Sequence, residues 1–168
     1  MPERATVQRA KRQLRRGRSP STAAGEFVRE EMDRIREGKH GARSTKQAIA
    51  IGLSKARRAG VPLRPPARGT KRTKRAAARA VTAGQHHRAP SRTRSRATSR
   101  ALRREPHRAA SHRALATQAH ATAKRRGGAA RAASARKAVR TKGPALRKTA
   151  ARKAAATRKA AATRKRAA

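Results

Sequence analysis

The chain has 168 residues, of which 49 are Lys or Arg and 7 are Asp or Glu, so its net charge at pH 7 is +42. Because it contains no Cys, a disulfide framework, a thiolate zinc site and a cysteine nucleophile are excluded. No apolar run approaches the ~20 residues that span a membrane, and the first residues lack the apolar core of a signal peptide. We therefore expect a cytoplasmic protein whose partner is a polyanion.

Composition divides the chain into five segments. Residues 1–66 carry 17 basic and 6 acidic side chains, whereas residues 67–168 carry 32 basic and 1 acidic. The segments are a basic N-terminal arm (1–20), a helical hairpin domain (21–61), a basic linker with Pro and Gly (62–90), a weakly helical basic segment (91–126) and an Ala/Arg/Lys repeat tail (127–168).

The first predicted helix starts near Pro20 or Thr22, which suit the first helical position and an N-cap, and it ends at Gly38 and Gly41. Its apolar residues recur at helical spacing, which predicts an amphipathic helix. They are Ala24, Phe27, Val28, Met32 and Ile35.

The second predicted helix covers about residues 45–59. Ser44 followed by Gln47 has the pattern of a capping box, and Gly60 with Pro62 ends the helix. Its apolar face consists of Ala48, Ile49, Gly52, Leu53 and Ala56. The two helices predict a hairpin of about 40 residues, which is too small to be robust without self-association or a ligand.

Five of the seven acidic residues lie between residues 26 and 37, on the first predicted helix. Glu30–Arg34 and Arg29–Asp33 have the i,i+4 spacing of intrahelical ion pairs. Two interpretations of this acidic stripe stay open. It is a solvated face, or it is a docking face for the basic tail or for a second copy of the chain.

The region after residue 66 has few large apolar residues. They are Val81, Leu102, Leu115, Val139 and Leu146. Burying five side chains stabilises a fold far less than ordering about a hundred residues costs. The expected fold class is therefore mostly α, with a small helical hairpin followed by a long, largely disordered basic region that forms transient helices.

The tail repeats the hexapeptide RKAAAT at residues 152–157 and 158–163. Six residues of helix turn by about 240° beyond one full turn, so successive Arg-Lys pairs point in different directions. A helix charged all round has no face for a protein core, and it suits a strand of phosphates. We expect the tail to be intrinsically disordered when free and helical when its charges are neutralised.

The turn before the second helix carries Lys39, Arg43 and Lys46, which could hold one backbone phosphate at a helix N-terminus. The alternative is an ordinary solvated turn, and capping explains Gln47 better than base reading. The candidate phosphate-binding residues are Lys39, Arg43, Lys46, Arg57, Arg58, Arg136, Lys137, Arg147, Lys148, Arg152, Lys153, Arg158, Lys159, Arg164, Lys165 and Arg166.

The six His residues lack the spacing of a structural zinc site, and no nucleophile stands near a base. We therefore expect no enzyme activity, catalytic residue, metal or cofactor. The Arg-Ser alternation at 91–100 is similar to the arginine/serine segments of RNA-binding proteins. Base stacking on aromatic side chains is essentially excluded, because Phe27 is the only aromatic residue.

Residues 24–63, AGEFVREEMDRIREGKHGARSTKQAIAIGLSKARRAGVPL, resemble a family of small basic bacterial proteins with a hairpin domain and no established activity. The block STKQAIAIGLSKARR is the most specific part of the resemblance. Members are often labelled DNA-binding, and the resemblance implies a bacterial cytoplasmic setting without catalytic residues. Residues 94–126, with ALRRE and AASHRALATQAH, resemble the C-terminal portion of that family.

Residues 129–168 resemble the Ala/Lys/Arg tails of linker histones and bacterial histone-like proteins, with more Arg than most. The interpretation we adopt is sequence-independent DNA binding by a histone-like, nucleoid-associated protein that neutralises and compacts or bridges DNA through its tail. The hairpin would add a second DNA contact or self-association. Two alternatives stay open. One is an RNA- or ribosome-associated protein, and the other is an adaptor whose hairpin binds a protein while its tail anchors it to DNA.

Overall fold

The computed structural model describes residues 2–86 and 91–166. Most of these residues are helical, and no strand occurs among them. The elements are α1 (Arg4–Arg15), α2 (Pro20–Arg36), α3 (Thr45–Arg58), α4 (Lys71–Gln85), α5 (Arg92–Arg103), a 3-10 helix η1 (His107–Ala110) and α6 (His112–Arg166). Contacts divide the chain into two compact units, residues 1–118 and 119–168.

Helices α2 and α3 begin at the caps that their sequences favour. The Ser19 hydroxyl accepts the Thr22 N–H at 3.4 Å, with Pro20 in the first helical position. The Ser44 hydroxyl accepts the Gln47 N–H at 3.2 Å, which confirms the predicted cap of the second helix. These local bonds fix where each helix starts, because they satisfy N–H groups that have no partner inside the helix.

The backbones of α2 and α3 approach closely at Gly52. A Cβ atom on this glycine would lie 2.7 Å from the Cα of Val28 and 3.1 Å from the carbonyl oxygen of Phe27. Such a short contact leaves no room for any side chain. The glycine therefore lets the two helices pack backbone to backbone and bury the apolar faces beside it.

Two apolar clusters form the core of residues 1–118. The first joins α1, α2, α3 and the turn after α3 around Phe27, which is fully buried. The second joins α2, α3 and η1 around Ile35, which is also fully buried. Most of the remaining buried core residues are alanines. They are Ala10, Ala23, Ala24, Ala42, Ala48, Ala56, Ala77, Ala80, Ala109 and Ala110.

The prediction of a small helical hairpin followed by a disordered region is wrong, because other elements pack against the two hairpin helices. Helix α1 contacts α2, α4 contacts α3, and η1 contacts both α2 and α3. Counting only the large apolar side chains underestimated the core, because these contacts are made by small residues such as Ala10, Ala77 and Ala110. Alanine faces let helices approach closely, so many van der Waals contacts replace a few bulky side chains.

The prediction of an intrinsically disordered tail is also wrong, because α6 is helical from His112 to Arg166 with two interruptions. Gly127 and Gly143 have φ of 76° and 67°, values outside the helical region, and Pro144 follows the second glycine. The tail forms a helix without burying a face because Ala, Arg and Lys are among the strongest helix formers and every hydrogen bond is local. The first turn of the helical segment that follows tolerates Pro144, because a residue in that position has no N–H hydrogen bond to make within the helix.

Replacing Gly52 with Ala should destabilise the protein by roughly 1–3 kcal/mol, because the new methyl group forces α2 and α3 apart. Gly25→Ala is the matched control, since Gly25 lies exposed on α2 with nothing within 4 Å of the added Cβ. That change should stabilise the protein by about 0.5–1 kcal/mol. Urea unfolding followed by circular dichroism measures both, and equal effects of the two changes would contradict the close approach.

Candidate nucleic-acid interface

The turn between α2 and α3 is held in place by residues from much later in the chain. The Gly41 N–H donates to the carbonyl oxygen of Leu102 at 2.9 Å, and the Ala42 N–H donates to that of Pro106 at 3.1 Å. The Thr45 hydroxyl donates to the carbonyl oxygen of Ala109 at 2.7 Å. A Cβ on Gly41 would lie 1.8 Å from the carbonyl oxygen of Glu105, so only glycine fits there.

Lys39, Arg43 and Lys46 are exposed in and after this turn. The Lys39 ammonium lies 2.7 Å from Glu37, and that hydrogen bond raises the pKa of Lys39. Lys39 therefore stays charged, but a carboxylate already offsets part of that charge. Arg43 and Lys46 are the cations of this turn that face solvent beside the cap.

The Gln47 side chain has a structural role at this helix start. The side-chain carbonyl oxygen accepts the backbone N–H of Arg43 at 2.8 Å, while the backbone N–H of Gln47 donates to the Ser44 hydroxyl. The side-chain amide is thus used to close the turn, in agreement with the capping interpretation. Any phosphate held here would be held by the side chains of Arg43 and Lys46.

The two arginines at the end of α3 differ sharply in position. Arg57 is buried, and its guanidinium donates to the carbonyl oxygens of Leu63 at 3.2 Å and Arg64 at 3.3 Å. Burial lowers the pKa of Arg57. Its guanidinium stabilises the chain after α3 and is not presented to a ligand, whereas Arg58 is exposed.

The candidate residues of the tail lie on α6 and are exposed wherever their side chains are described. They are Arg136, Lys137, Arg147, Lys148, Arg152, Lys153, Arg158 and Lys159. The side chains of Arg164, Lys165 and Arg166 lie outside the described residues. The structure therefore gathers eight of these cations on one element, while Lys39, Arg43, Lys46 and Arg58 lie in residues 1–118.

The carboxylates of α2, and that of Glu37 directly after it, form ion pairs with cations of residues 1–118. The pairs are Arg9–Glu26 at 3.0 Å, Arg34–Glu30 at 2.8 Å, Lys55–Glu31, Arg36–Asp33 at 3.4 Å and Lys39–Glu37 at 2.7 Å. The predicted pairing of Glu30 with Arg34 is confirmed. Glu30 and Glu31 are buried and paired with cations of the same unit, so neither a solvated face nor a docking face for the tail describes these two acids.

Glu31 is the most deeply placed of these acids. Its side chain is 0% exposed. One carboxylate oxygen accepts a hydrogen bond from the Lys55 ammonium, and the other lies 3.4 Å from the Nε2 atom of His40 without a hydrogen bond. Lys55 lies on α3 and His40 in the turn, so this carboxylate ties three parts of the fold together. A buried charge is stable only when it is paired, so Lys55 is required in the folded state.

Five exposed arginines of α5 were missing from the candidate residues chosen from the sequence. They are Arg92, Arg94, Arg96, Arg100 and Arg103. The spacing of Arg92, Arg96, Arg100 and Arg103 would have placed four of them on one helical face. Because residues 91–126 were expected to be weakly helical, this spacing could have been recognised from the sequence.

Within residues 2–86 and 91–166, no group of three or more His, Asp or Glu side chains is placed to hold a metal ion. None of the described helices is long and apolar enough to cross a bilayer.

No protein-family model, curated protein or solved structure matches this chain. The resemblance of residues 24–63 to small basic bacterial proteins therefore stays a prediction from the sequence.

Removing the buried charge of Glu31 should destabilise the protein strongly. We expect Glu31→Gln to cost about 2–4 kcal/mol, because Lys55 loses its buried counter-ion. Asp33→Asn is the matched control, since it removes the same charge from an exposed pair and should cost no more than about 1 kcal/mol. Chemical unfolding measures both, and a similar small loss in the two variants would contradict the structural role of Glu31.

Proposed function

We propose that this protein binds double-stranded DNA without sequence preference, as a histone-like protein of the nucleoid. The observation that carries the proposal is the exposed, uncompensated charge of α6. Residues 119–168 contain 17 basic residues and no acidic one. A ligand with a dense line of negative charge is the partner that such a surface fits, because binding releases its condensed counterions.

The pairing of acids within residues 1–118 strengthens the electrostatic argument. The carboxylates of α2 have cationic partners, so they offset little of the charge elsewhere in the chain. The cations of α6 described above have no acidic residue on their own helix. Phosphates would therefore meet a surface of a single sign.

The dimensions of α6 suit a duplex. The helical segment that begins at Pro144 and ends at Arg166 is about 34 Å long, close to one turn of DNA. Its Arg-Lys pairs point to all sides, so any face of the segment can meet phosphates. This arrangement provides affinity, and it lacks the single ordered face that base reading requires.

The hydroxyl groups of α6 are used within the helix. Thr149, Thr157 and Thr163 donate to the carbonyl oxygens four residues earlier, at 3.1, 3.0 and 3.0 Å. These hydroxyls are therefore not directed outward as donors to base edges. Binding that depends on backbone phosphates and ignores sequence is the consistent interpretation.

The charge of α6 should set the salt dependence of binding. Replacing Arg147, Lys148, Arg152, Lys153, Arg158 and Lys159 with Gln should make the slope of log affinity against log salt shallower by up to about 5. The control is a scramble of residues 145–163 at fixed composition, which should keep affinity for duplex DNA within a few-fold. Fluorescence anisotropy between roughly 50 and 200 mM salt measures both.

Two outcomes would overturn the proposal. An unchanged salt slope in the Gln variant would show that α6 does not contact phosphates, and loss of binding in the scramble would show that the tail reads something specific. Tighter binding of an RNA duplex than of a DNA duplex of equal length would assign the protein to RNA instead.

A preformed tail helix makes a second prediction. We expect the circular-dichroism helix signal of the full chain to change little when DNA is added. Replacing Ala150, Ala154, Ala155 and Ala160 with Gly keeps every charge but costs roughly 1 kcal/mol of helix stability per site. This variant should be less helical when free, bind DNA more weakly and gain helix on binding. A large gain of helix in the unaltered protein would contradict a helix that exists before binding.

A further inference from the structure

Helix α5 differs from the other helices of residues 1–118 in having no buried face. None of its residues is buried, and it packs against none of the other helices of the described chain. Its sequence, RTRSRATSRALR, has no acidic residue that could form an intrahelical ion pair. A helix that is polar all round and lacks such pairs gains little stability from its own chain, so its surface is suited to an external partner.

Four arginines of α5 form a continuous stripe. Arg92, Arg96, Arg100 and Arg103 lie within an arc of about 80° on the helix surface. Two shallow depressions lie between these side chains, and Ser95 and Ser99 also line one of them. Guanidinium and hydroxyl donors around these depressions match the oxygen atoms of phosphate groups.

Helix α5 is firmly attached at one end. The carbonyl oxygen of Leu102 accepts the Gly41 N–H at 2.9 Å, and the following η1 places Ala109 and Ala110 in the core. The N-terminal turns of α5 have no such contacts with other helices. The helix therefore has a fixed base at its C-terminal end, while the side chains of its N-terminal turns are exposed.

We propose that α5 is a second DNA-binding element, which enters the major groove of a duplex independently of α6. A helix with side chains is about 10–12 Å across, and the major groove of B-DNA is about 12 Å wide. The arginine stripe would contact phosphates of one wall of the groove, and Arg94, on the opposite face of α5, would contact the other. With α6 bound elsewhere, one chain would then bridge two duplexes.

Site-resolved labelling of the full-length protein tests this proposal. Arginine-selective modification with phenylglyoxal, read by mass spectrometry, is compared with and without a DNA duplex of about 30 base pairs, three helical turns. Arg72, Arg75 and Arg79 on α4 are the internal reference, because they are equally exposed arginines of the same unit. We expect DNA to slow the labelling of the α5 stripe roughly tenfold more than that of α4. Equal protection of the two helices would overturn the proposal.

The same measurement in the α6 Gln variant separates this proposal from the proposed function. Protection of α5 should persist there at saturating DNA, and its loss would show that α5 merely follows α6. If α6 proves not to bind DNA while α5 is protected, the role proposed for α6 is wrong and this inference stands. Equal protection of α5 by an RNA duplex would overturn groove entry, because the major groove of RNA is too narrow for a helix.

A pair of charge-matched variants gives an independent measure. Changing the four stripe arginines to Gln should make the salt slope for DNA binding shallower by about 3–4. The control replaces Arg72, Lys74, Arg75 and Arg79 on α4 with Gln, which removes the same charge and should change the slope by less than about 1. Equal effects of the two variants would show that total charge alone governs binding, and the proposal would then be wrong.

Discussion

The close approach of α2 and α3 at Gly52 is the contact on which the folded unit depends. A chain with one aromatic residue cannot fill a wide gap between helices, so its helices must lie nearly in backbone contact. That approach accompanies the complete burial of Phe27 and Ile35, the centres of two clusters to which α1 and η1 add alanines. Helix α4 packs on α3 beside them. Gly41 has the same role where the turn before α3 meets Glu105.

Packing of this kind determines how the charges are arranged. Because small core residues let α2 and α3 lie close together, the buried carboxylate of Glu31 on α2 is within reach of Lys55 on α3 and near His40 in the turn between them. Other acids of α2 are paired with nearby cations, such as Glu26 with Arg9 of α1. The acidic residues thus serve the fold, and the exposed surfaces of α5 and α6 remain basic. The proposed function follows from this separation of charges.

The sequence predicted the local features of the fold well, but it underestimated how much of the chain is folded. The cap at Ser44 and the apolar spacing from Ala24 to Ile35 depend on neighbouring residues, so they could be recognised without a structure. The predicted fold class was wrong because the sequence does not show which alanines are buried. Ala77 of α4 is buried, whereas Ala154 of α6 is exposed. The candidate site was partly foreseeable for a similar reason. The charge of α6 is a property of composition, but the burial of Arg57 depends on the carbonyl oxygens of the turn after α3.

Net charge, the absence of Cys and the hexapeptide repeat of the tail are determined by the sequence itself, because they require no knowledge of distant contacts. From those features the sequence predicts a polyanion as the partner. Only the tertiary structure decided which helices share a core, which acids are neutralised and which arginines stay exposed. These outcomes depend on contacts between residues far apart in the chain, such as Gly41 with Leu102 and Thr45 with Ala109. No local pattern records such contacts, because each partner is an ordinary residue in its own segment.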